Sequence, residues 1–143
     1  MRVLIDTNVI LDVALERQPY LSTSEQVLLF VEQGLIEGYL SASTFTDLYY
    51  LIRKARNREW ALDFLTRLLT FCWIATVDQS VISQALVSPM SDLEDAVQYE
   101  AAIARQLSAI VTRNPQDFPP DRMQVFTPEA LLQRLSQASD QSP

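Results

Sequence analysis

The sequence contains no histidine, and its only lysine is Lys54. A histidine base, a Ser-His-Asp triad, a Cys-His dyad and an HExxH zinc site are therefore excluded. A Walker-A phosphate loop is excluded as well, because the required lysine does not stand in a glycine-rich segment. Any catalysis by this chain must rest on other side chains.

Cysteine, glycine and long apolar runs are also scarce. Cys72, the single cysteine, lies in a short apolar run, which predicts a buried thiol and excludes a disulfide framework or a cysteine-based zinc site. The 2 glycines and the 48% of hydrophobic residues indicate a compact, helix-rich domain. No run approaches the roughly 18 apolar residues of a membrane helix, and the start of the sequence does not have the pattern of a signal peptide. We therefore expect a cytoplasmic protein with no membrane partner.

Short aliphatic runs alternate with segments of helical periodicity along the whole chain. This alternation predicts an α/β fold, a three-layer α/β/α arrangement with a mainly parallel central sheet. One domain is predicted over residues 1–136, followed by a polar, disordered tail over residues 137–143. The predicted strands cover residues 2–5, 38–41, 73–77, 109–112 and 124–126.

Two pairs of residues have the spacing of a capping box at a helix start. Ser22 precedes Glu25 by three positions, and Ser91 precedes Glu94 by the same interval. In a capping box each side chain bonds to the backbone N–H of the other residue. We expect one helix to begin at each pair.

Acidic groups are abundant, with 18 Asp and Glu against 11 Lys and Arg and a net charge of −7. Four acids stand where predicted strands end or the following helices begin: Asp6, Asp47, Asp95 and Asp117. Parallel sheets bind ligands beyond the carboxyl ends of their strands, so these acids are predicted to share one cleft. Clustered carboxylates need compensating cations, and oxygen ligands suit Mg²⁺ or Mn²⁺. A divalent cation is therefore the predicted cofactor.

Each of these acids also has a simpler structural explanation. Asp6 would cap the first helix, Asp47 and Asp95 would complement helix dipoles in first turns, and Asp117 would be a turn residue. For any one residue the two explanations have about equal weight. The coincidence of four acids at strand ends favours a common site.

Four segments of the sequence, taken in order, resemble the PIN domain family. They are Val3–Asn8, Ser43–Asp47, Glu94–Ala96 and Val111–Phe118. Together they span nearly the whole chain, and the ordered set is far more specific than any one of them. The resemblance implies an endoribonuclease that hydrolyses phosphodiester bonds with metal-activated water, often the VapC-like toxin of a type II toxin-antitoxin pair. It also implies RNA as substrate, an antitoxin partner and a homodimer.

The resemblance implies roles for the four acids. Asp6 and Asp95 would be direct metal ligands, and Asp117 would bind the metal directly or through water. Asp47 stands where the family often has Glu, so its shorter side chain would reach the metal through water. All four are candidate catalytic residues.

Polar residues beside the acids are predicted to act in support. The resemblance implies that Asn8, Thr112 and Asn114 orient carboxylates or waters, as hydroxyl and amide groups can. Asn114 stands where some relatives carry an acid, which makes it a weaker ligand. Asp92, three residues before Asp95, is predicted to have a structural role in the first turn of its helix.

Basic residues near the predicted site offer contacts for RNA phosphates. Arg113 is the best single candidate, and Arg53 and Lys54 lie at the far end of the helix that begins near Asp47. A solvated helix end whose cations complement the dipole explains Arg53 and Lys54 equally well. Four aromatic residues could stack on bases but are predicted mainly for the core: Tyr49, Tyr50, Trp60 and Trp73.

Two alternatives remain open. A PIN-like fold that has lost activity would bind RNA or protein, and Asp47 and Asn114 are the departures that motivate this possibility. A phosphatase of the haloacid dehalogenase type is less favoured. Its DxDx[TV] opening needs a second acid where Asn8 stands, and its lysine should lie near the later acids, far from Lys54.

Overall fold

The protein is described by a computed structural model that covers residues 1–140. Its strands are β1 (Arg2–Ile5), β2 (Glu37–Ser41), β3 (Cys72–Ala75), β4 (Ala109–Val111) and β5 (Gln124–Phe126). They form one sheet in the order β3-β2-β1-β4-β5, and every pairing is parallel. The predicted α/β class and parallel sheet are confirmed.

α-Helices connect β1 to β2, β2 to β3 and β3 to β4, whereas the long crossover from β4 to β5 contains only a 3₁₀ turn. The α-helices are α1 (Thr7–Ala14), α2 (Leu21–Glu32), α3 (Phe45–Ala55), α4 (Arg58–Leu68), α5 (Gln79–Leu86), α6 (Leu93–Ala104) and α7 (Pro128–Asp140). Two short 3₁₀ turns, Ala42–Thr44 and Pro115–Asp117, follow β2 and β4. Across residues 1–140, none of the helices combines the length and apolar character needed to cross a membrane.

Two hydrophobic cores lie on opposite faces of the sheet. Val3 and Ile5 face one core, which α1, α2, α3, α4 and α7 cover. Leu4 faces the other core, which α5 and α6 cover. Successive residues of a strand point to opposite faces, so a strand buried on both sides must be continuously apolar. Cys72 is buried in the first core, as predicted.

The order of the strands creates a switch point at β1 and β4. The chain leaves β1 toward β2 on one side of the sheet and leaves β4 toward β5 on the other. β1 and β4 pair directly, with Ile5 opposite Val111. A crevice opens beyond the carboxyl ends of two such strands, and ligands of open parallel sheets bind there.

The predicted helix starts need two corrections. Ser22 lies inside α2, which begins at Leu21 without a side-chain cap. α6 is capped by Asp92 rather than Ser91, because the Asp92 carboxylate accepts the backbone N–H of Asp95 at 2.9 Å. The structural role predicted for Asp92 is thereby confirmed.

The predicted disordered tail is wrong over residues 137–140, which continue α7. Leu132 and Leu135 pack against the first core and hold this helix on the domain. Extending an existing helix is much easier than starting one, and Gln137 and Ala138 are good helix formers. Residues 141–143 lie outside the described residues.

The core prediction for the aromatic residues is correct for only part of the set. Tyr49 packs against the first core, but its neighbour Tyr50 is 63% exposed. Adjacent residues of a helix point in directions about 100° apart, so both rings cannot face one core. Trp73, on the edge strand β3, is 59% exposed, and Trp60 is partly exposed and stacks on Phe64.

Candidate functional site

The predicted acids lie at the carboxyl edge of the sheet. Asp6 directly follows β1, and Asp117 ends the 3₁₀ turn that follows β4. Asp47 and Asp95 lie in the first turns of α3 and α6. Asp6 is only 6% exposed and Asp95 is half-buried, whereas Asp47 and Asp117 are exposed. The exposure of these four acids therefore ranges from the buried Asp6 to the solvent-exposed Asp47 and Asp117.

Asp6 is held by three hydrogen bonds. Its Oδ1 accepts the backbone N–H of Thr7 at 2.8 Å and the side-chain amide of Gln98 at 3.3 Å. Its Oδ2 accepts the hydroxyl of Thr112 at 2.8 Å. The bond to Thr7 makes Asp6 the cap of α1, so the structural explanation and the site explanation hold together. All three donors are neutral groups, which orient the carboxylate without neutralising its charge.

Asp95 lies in an environment that disfavours its ionised form. Burial, and after it the negative fields of Asp92, Asp6, Asp117 and Glu94, together raise the pKa of Asp95 to about 6. Asp95 can feel these fields only because the fold brings the ends of β1, β4 and α6 together. The geometry therefore concentrates negative charge around one point.

Glu94 belongs to the same cluster of charge. Burial raises the pKa of Glu94 first, followed by the fields of Asp47, Asp92 and Asp6. Asp47 is thus within electrostatic reach of the start of α6. Glu94 was predicted only as a capping residue, and its position before Asp95 was the available signal.

Basic side chains do not balance this cluster. None of the ion pairs within residues 1–140 involves Asp6, Asp47, Asp95 or Asp117. Across the same residues, no group of three or more His, Cys, Asp or Glu side chains is arranged to hold a metal ion. Mg²⁺ is commonly held by one or two carboxylates together with waters and substrate phosphates. The donor set fits such a hydrated ion better than a closed protein cage.

Arg113 makes contacts that the sequence analysis did not foresee. Its Nε donates to Oδ2 of Asp12 at 2.8 Å, and its guanidinium lies 3.9 Å from the ring centre of Tyr20. Asp12 is fully buried and also accepts the hydroxyl of Ser24 at 3.0 Å. This network fastens the loop after β4 to α1 and α2. The predicted phosphate contact of Arg113 stays a prediction.

The remaining predicted residues have fewer contacts. Arg53 and Lys54 are exposed in the last turn of α3 and form no ion pair or hydrogen bond within the described residues. Asn8 and Asn114 are half-buried, and their side-chain amides lack hydrogen-bond partners in the same part of the chain. The backbone N–H of Asn114 donates to the Thr112 hydroxyl at 3.0 Å. Thr112 therefore links this loop to Asp6.

Sequence reasoning missed Gln98 and Asp12. Gln98 follows Asp95 by three positions, which places both on one face of a helix, and this spacing was a usable signal. Asp12 interrupts the apolar run of α1, and a charge at such a position demands a partner. Nothing in the sequence identified Arg113 as that partner, since 101 positions separate the two residues.

A groove of about 660 Å³ lies apart from the acids, between α2 and α4. Leu28 and Phe64 contribute to its apolar lining, and the three acids Glu16, Glu25 and Glu32 outnumber its one basic residue, Arg67, which pairs with Glu32. None of the predicted site residues lines this groove. Its composition suits an apolar segment that carries positive charge.

Comparisons with known proteins agree with this architecture. The family described as PIN domain matches residues 2–116, whereas no curated protein matches the sequence. A toxin-antitoxin complex from Klebsiella pneumoniae is 23% identical with a TM-score of 0.67, over 88% of this chain and 97% of that chain. VapBC2 from Rickettsia felis, bound to a promoter DNA fragment, is 15% identical with a TM-score of 0.67, over 89% and 98%. Mycobacterium tuberculosis VapC20, a Sarcin-Ricin loop cleaving toxin, is 13% identical with a TM-score of 0.61, over 84% and 92%.

Proposed function

Because this chain belongs to the PIN domain family, we propose that it is a divalent-metal-dependent endoribonuclease and the toxin of a type II toxin-antitoxin pair. The observation that carries the proposal is the cluster of Asp6, Asp95 and Asp117 at the switch point of the sheet. Acids that cluster without compensating basic residues would attract a cation, and a phosphate substrate could share that cation.

Asp6 and Asp95 would hold the cation, with Asp117 acting directly or through water. A bound Mg²⁺ or Mn²⁺ ion would lower the pKa of the attacking water and place positive charge beside the phosphate. The donors in reach are all oxygen atoms, which suits these hard ions. Asp47, whose field reaches Glu94, would contact the cation through water.

The other residues of the site orient these acids. Thr112 fixes Oδ2 of Asp6, and the backbone N–H of Asn114 fixes the hydroxyl of Thr112. Asp92 fixes the backbone of Asp95 at the start of α6. We propose that the side chains of Asn8 and Asn114 orient waters or carboxylates, because their amide groups have no protein partner among the described residues.

We propose RNA as the substrate, with Arg113, Arg53 and Lys54 as candidate phosphate contacts. Arg53 and Lys54 are exposed and unpaired within the described residues, so their charges are available to a polyanion. Arg113 uses Nε for Asp12, which leaves its terminal nitrogens for a phosphate near Asn114. The protein's net charge of −7 makes this local positive charge necessary.

A protein partner is part of the proposal. The groove between α2 and α4 would suit a basic, amphipathic antitoxin segment, because its lining combines apolar residues with Glu16, Glu25 and Glu32 and only one basic residue, Arg67. A homodimer would cover exposed apolar residues elsewhere on the surface. These residues include Tyr50, Trp73, Leu86, Val87 and Leu93.

Cleavage of labelled single-stranded RNA tests the proposal. Wild-type protein, Asp6→Asn and Asp95→Asn should be assayed with Mg²⁺, Mn²⁺ or EDTA. We expect metal-dependent products from the wild type only, since each substitution removes a charged ligand. Retained cleavage in EDTA, or in both folded variants, would contradict the assignment.

A catalytically degenerate PIN domain is the second candidate function. Asp47 is exposed, and Asn114 brings an amide where an acid was possible, so the carboxylate set is sparse. Binding of RNA by a folded protein that cleaves none of a broad panel of RNAs would favour this candidate. Growth arrest on expression without a partner would instead support the toxin. The phosphatase alternative is overturned by the family match.

A further inference from the structure

The hydrogen bonds of Asp6 leave its two oxygens with different numbers of free acceptor positions. A carboxylate offers about four acceptor positions, two on each oxygen. Oδ1 accepts from both Thr7 and Gln98, so its two positions are filled. Oδ2 accepts only from Thr112, so one position on Oδ2 remains. Asp6 can therefore offer a cation one oxygen but not two.

The difference between Oδ1 and Oδ2 depends on Gln98, whose side chain is the second donor to Oδ1. Gln98 is only 2% exposed, and its amide must present N–H to the carboxylate because an ionised Asp6 can only accept. Its Oε1 is buried without a hydrogen-bond partner among the described residues. A buried unsatisfied acceptor costs stability, so an apolar side chain would fill this place at less cost. The bond to Asp6 is the one side-chain hydrogen bond that Gln98 forms within the described residues.

Gln98 also links the two elements that carry the predicted ligands. Asp95 and Gln98 lie three positions apart on α6, while Asp6 ends β1. The bond from Gln98 to Asp6 joins this face of α6 to the end of the strand. This bond opposes any movement of Asp6 away from Asp95 that a larger ion would require.

We propose that Gln98 is a positioning residue that restricts Asp6 to one-oxygen coordination and thereby favours Mg²⁺ and Mn²⁺ over Ca²⁺. Ca²⁺ accepts bidentate carboxylates and irregular geometry, whereas Mg²⁺ demands a near-ideal octahedron that a bidentate carboxylate distorts. The inference rests on the proposed function, since it concerns the same cation site.

Calorimetric titration of the full chain with MgCl₂, MnCl₂ and CaCl₂, without RNA, tests this role. Gln98→Met removes the donor and keeps a long side chain that suits the buried position. We expect the preference for Mg²⁺ over Ca²⁺ to fall by about three- to tenfold, because a position opens on Oδ1. The shift should come mainly from tighter binding of Ca²⁺.

Thr112→Val is the matched control. It removes a donor from Oδ2 while Oδ1 stays filled, so Asp6 still cannot chelate through both oxygens. We expect weaker binding of all three ions with an unchanged preference. A change in preference equal to that of Gln98→Met would show that loss of any donor to Asp6 has this effect, and it would overturn the role of Gln98.

The outcomes separate this inference from the proposed function. An unchanged preference in folded Gln98→Met overturns the inference while leaving the nuclease intact. If Gln98→Met does not fold, Gln98→Leu also removes the donor without adding a charge or a ligand, and the same shift toward Ca²⁺ is expected. An unchanged preference in that variant also overturns the inference. Wild-type protein that neither binds these ions nor cleaves RNA would overturn the proposed function itself.

Discussion

Asp6 and Asp12 are buried acids of the same strand–helix unit, and the fold surrounds them in opposite ways. Asp12 has a cationic partner, Arg113, and a hydroxyl donor, Ser24. Asp6 has only neutral donors and lies near other acids. Asp6 and Asp12 thus lie only six positions apart, yet the charge of Asp12 is balanced and the charge of Asp6 is not.

The difference shows how burial alone fails to identify a functional acid. A buried carboxylate with a basic partner has its charge balanced within the protein, and removing either partner leaves an isolated charge. A buried carboxylate oriented by neutral donors keeps an unpaired negative charge and can therefore attract a cation from outside the chain. We therefore expect substitutions of Asp12 to affect stability, and substitutions around Asp6 and Asp95 to affect cation-dependent activity.

Asp12→Ala should produce the largest loss of stability. Removing this carboxylate leaves Arg113 without its buried partner, and we expect the free energy of unfolding to fall by about 3 kcal/mol. Urea denaturation monitored by circular dichroism measures the change. A double variant, Asp12→Leu with Arg113→Met, should recover part of the loss. A loss below about 1 kcal/mol would mean that the network contributes little.

Thr112→Val should lower RNA cleavage by about 10- to 100-fold, because Asp6 loses the donor that orients its Oδ2. Values of kcat/KM at saturating Mg²⁺ measure the effect. Thr112→Ser keeps the hydroxyl and serves as the control, with activity expected within a few-fold of wild type. Equal activity in Thr112→Val and the wild type would show that this bond does not matter for cleavage.

Asp95→Asn should have the opposite effect on stability from Asp12→Ala. The pKa of Asp95 is about 6 in the folded protein against 3.8 for an unperturbed Asp, so the folded state binds the proton more tightly. Stability from this group therefore falls as pH rises from 3.8 to about 6, and the cost is fully present above that range. After allowance for solvent screening, Asp95→Asn should stabilise the cation-free protein by about 1 kcal/mol near neutral pH.

Chemical denaturation in EDTA over a series of pH values checks this prediction. The advantage of Asp95→Asn should vanish in acid, where both side chains are neutral. Added Mg²⁺ should stabilise the wild type more than the variant, because only the wild type keeps both charged ligands. A variant less stable than the wild type in EDTA would indicate that ionised Asp95 does not destabilise the folded protein.

Arg53→Ala and Lys54→Ala should have the smallest effect. Each exposed cation is expected to contribute about two- to fivefold to RNA affinity, with a weaker salt dependence after its removal and unchanged stability. Fluorescence anisotropy with labelled RNA, in an Asp6→Asn background that prevents cleavage, measures binding over a range of KCl. Arg134→Ala, an exposed cation of α7, is the matched control. Losses as large in Arg134→Ala would indicate a nonspecific effect of net charge.

Periodicity and caps were enough to predict most of the fold. The strand and helix order followed from apolar runs, because continuously apolar strands and amphipathic helices leave distinct patterns. The start of α6 was misplaced by one residue, since Ser91 and Asp92 are both good caps and only Asp92 reaches the N–H of Asp95. The end of α7 was missed because a polar composition does not reveal that Leu135 anchors the helix.

The candidate site was predicted less completely. The positions of Asp6, Asp95 and Asp117 at strand ends or helix starts followed from the sequence, and the resemblance to PIN domains agrees with the family match. The partners of these acids did not follow, because Gln98 and Thr112 reach Asp6 across 92 and 106 positions. Whether the assigned residues bind a cation and cut RNA stays a prediction.

The sequence by itself determined the class of chemistry: without histidine, and with one lysine and one cysteine, only oxygen ligands remain for a catalytic centre. It also determined that acids follow buried strands. The tertiary structure alone decided that Asp12 is balanced by Arg113 and that Asp6 and Asp95 have no basic partner within residues 1–140. Charge balance depends on distances between groups far apart in sequence, and only the packing of β1 against β4 and α6 sets those distances.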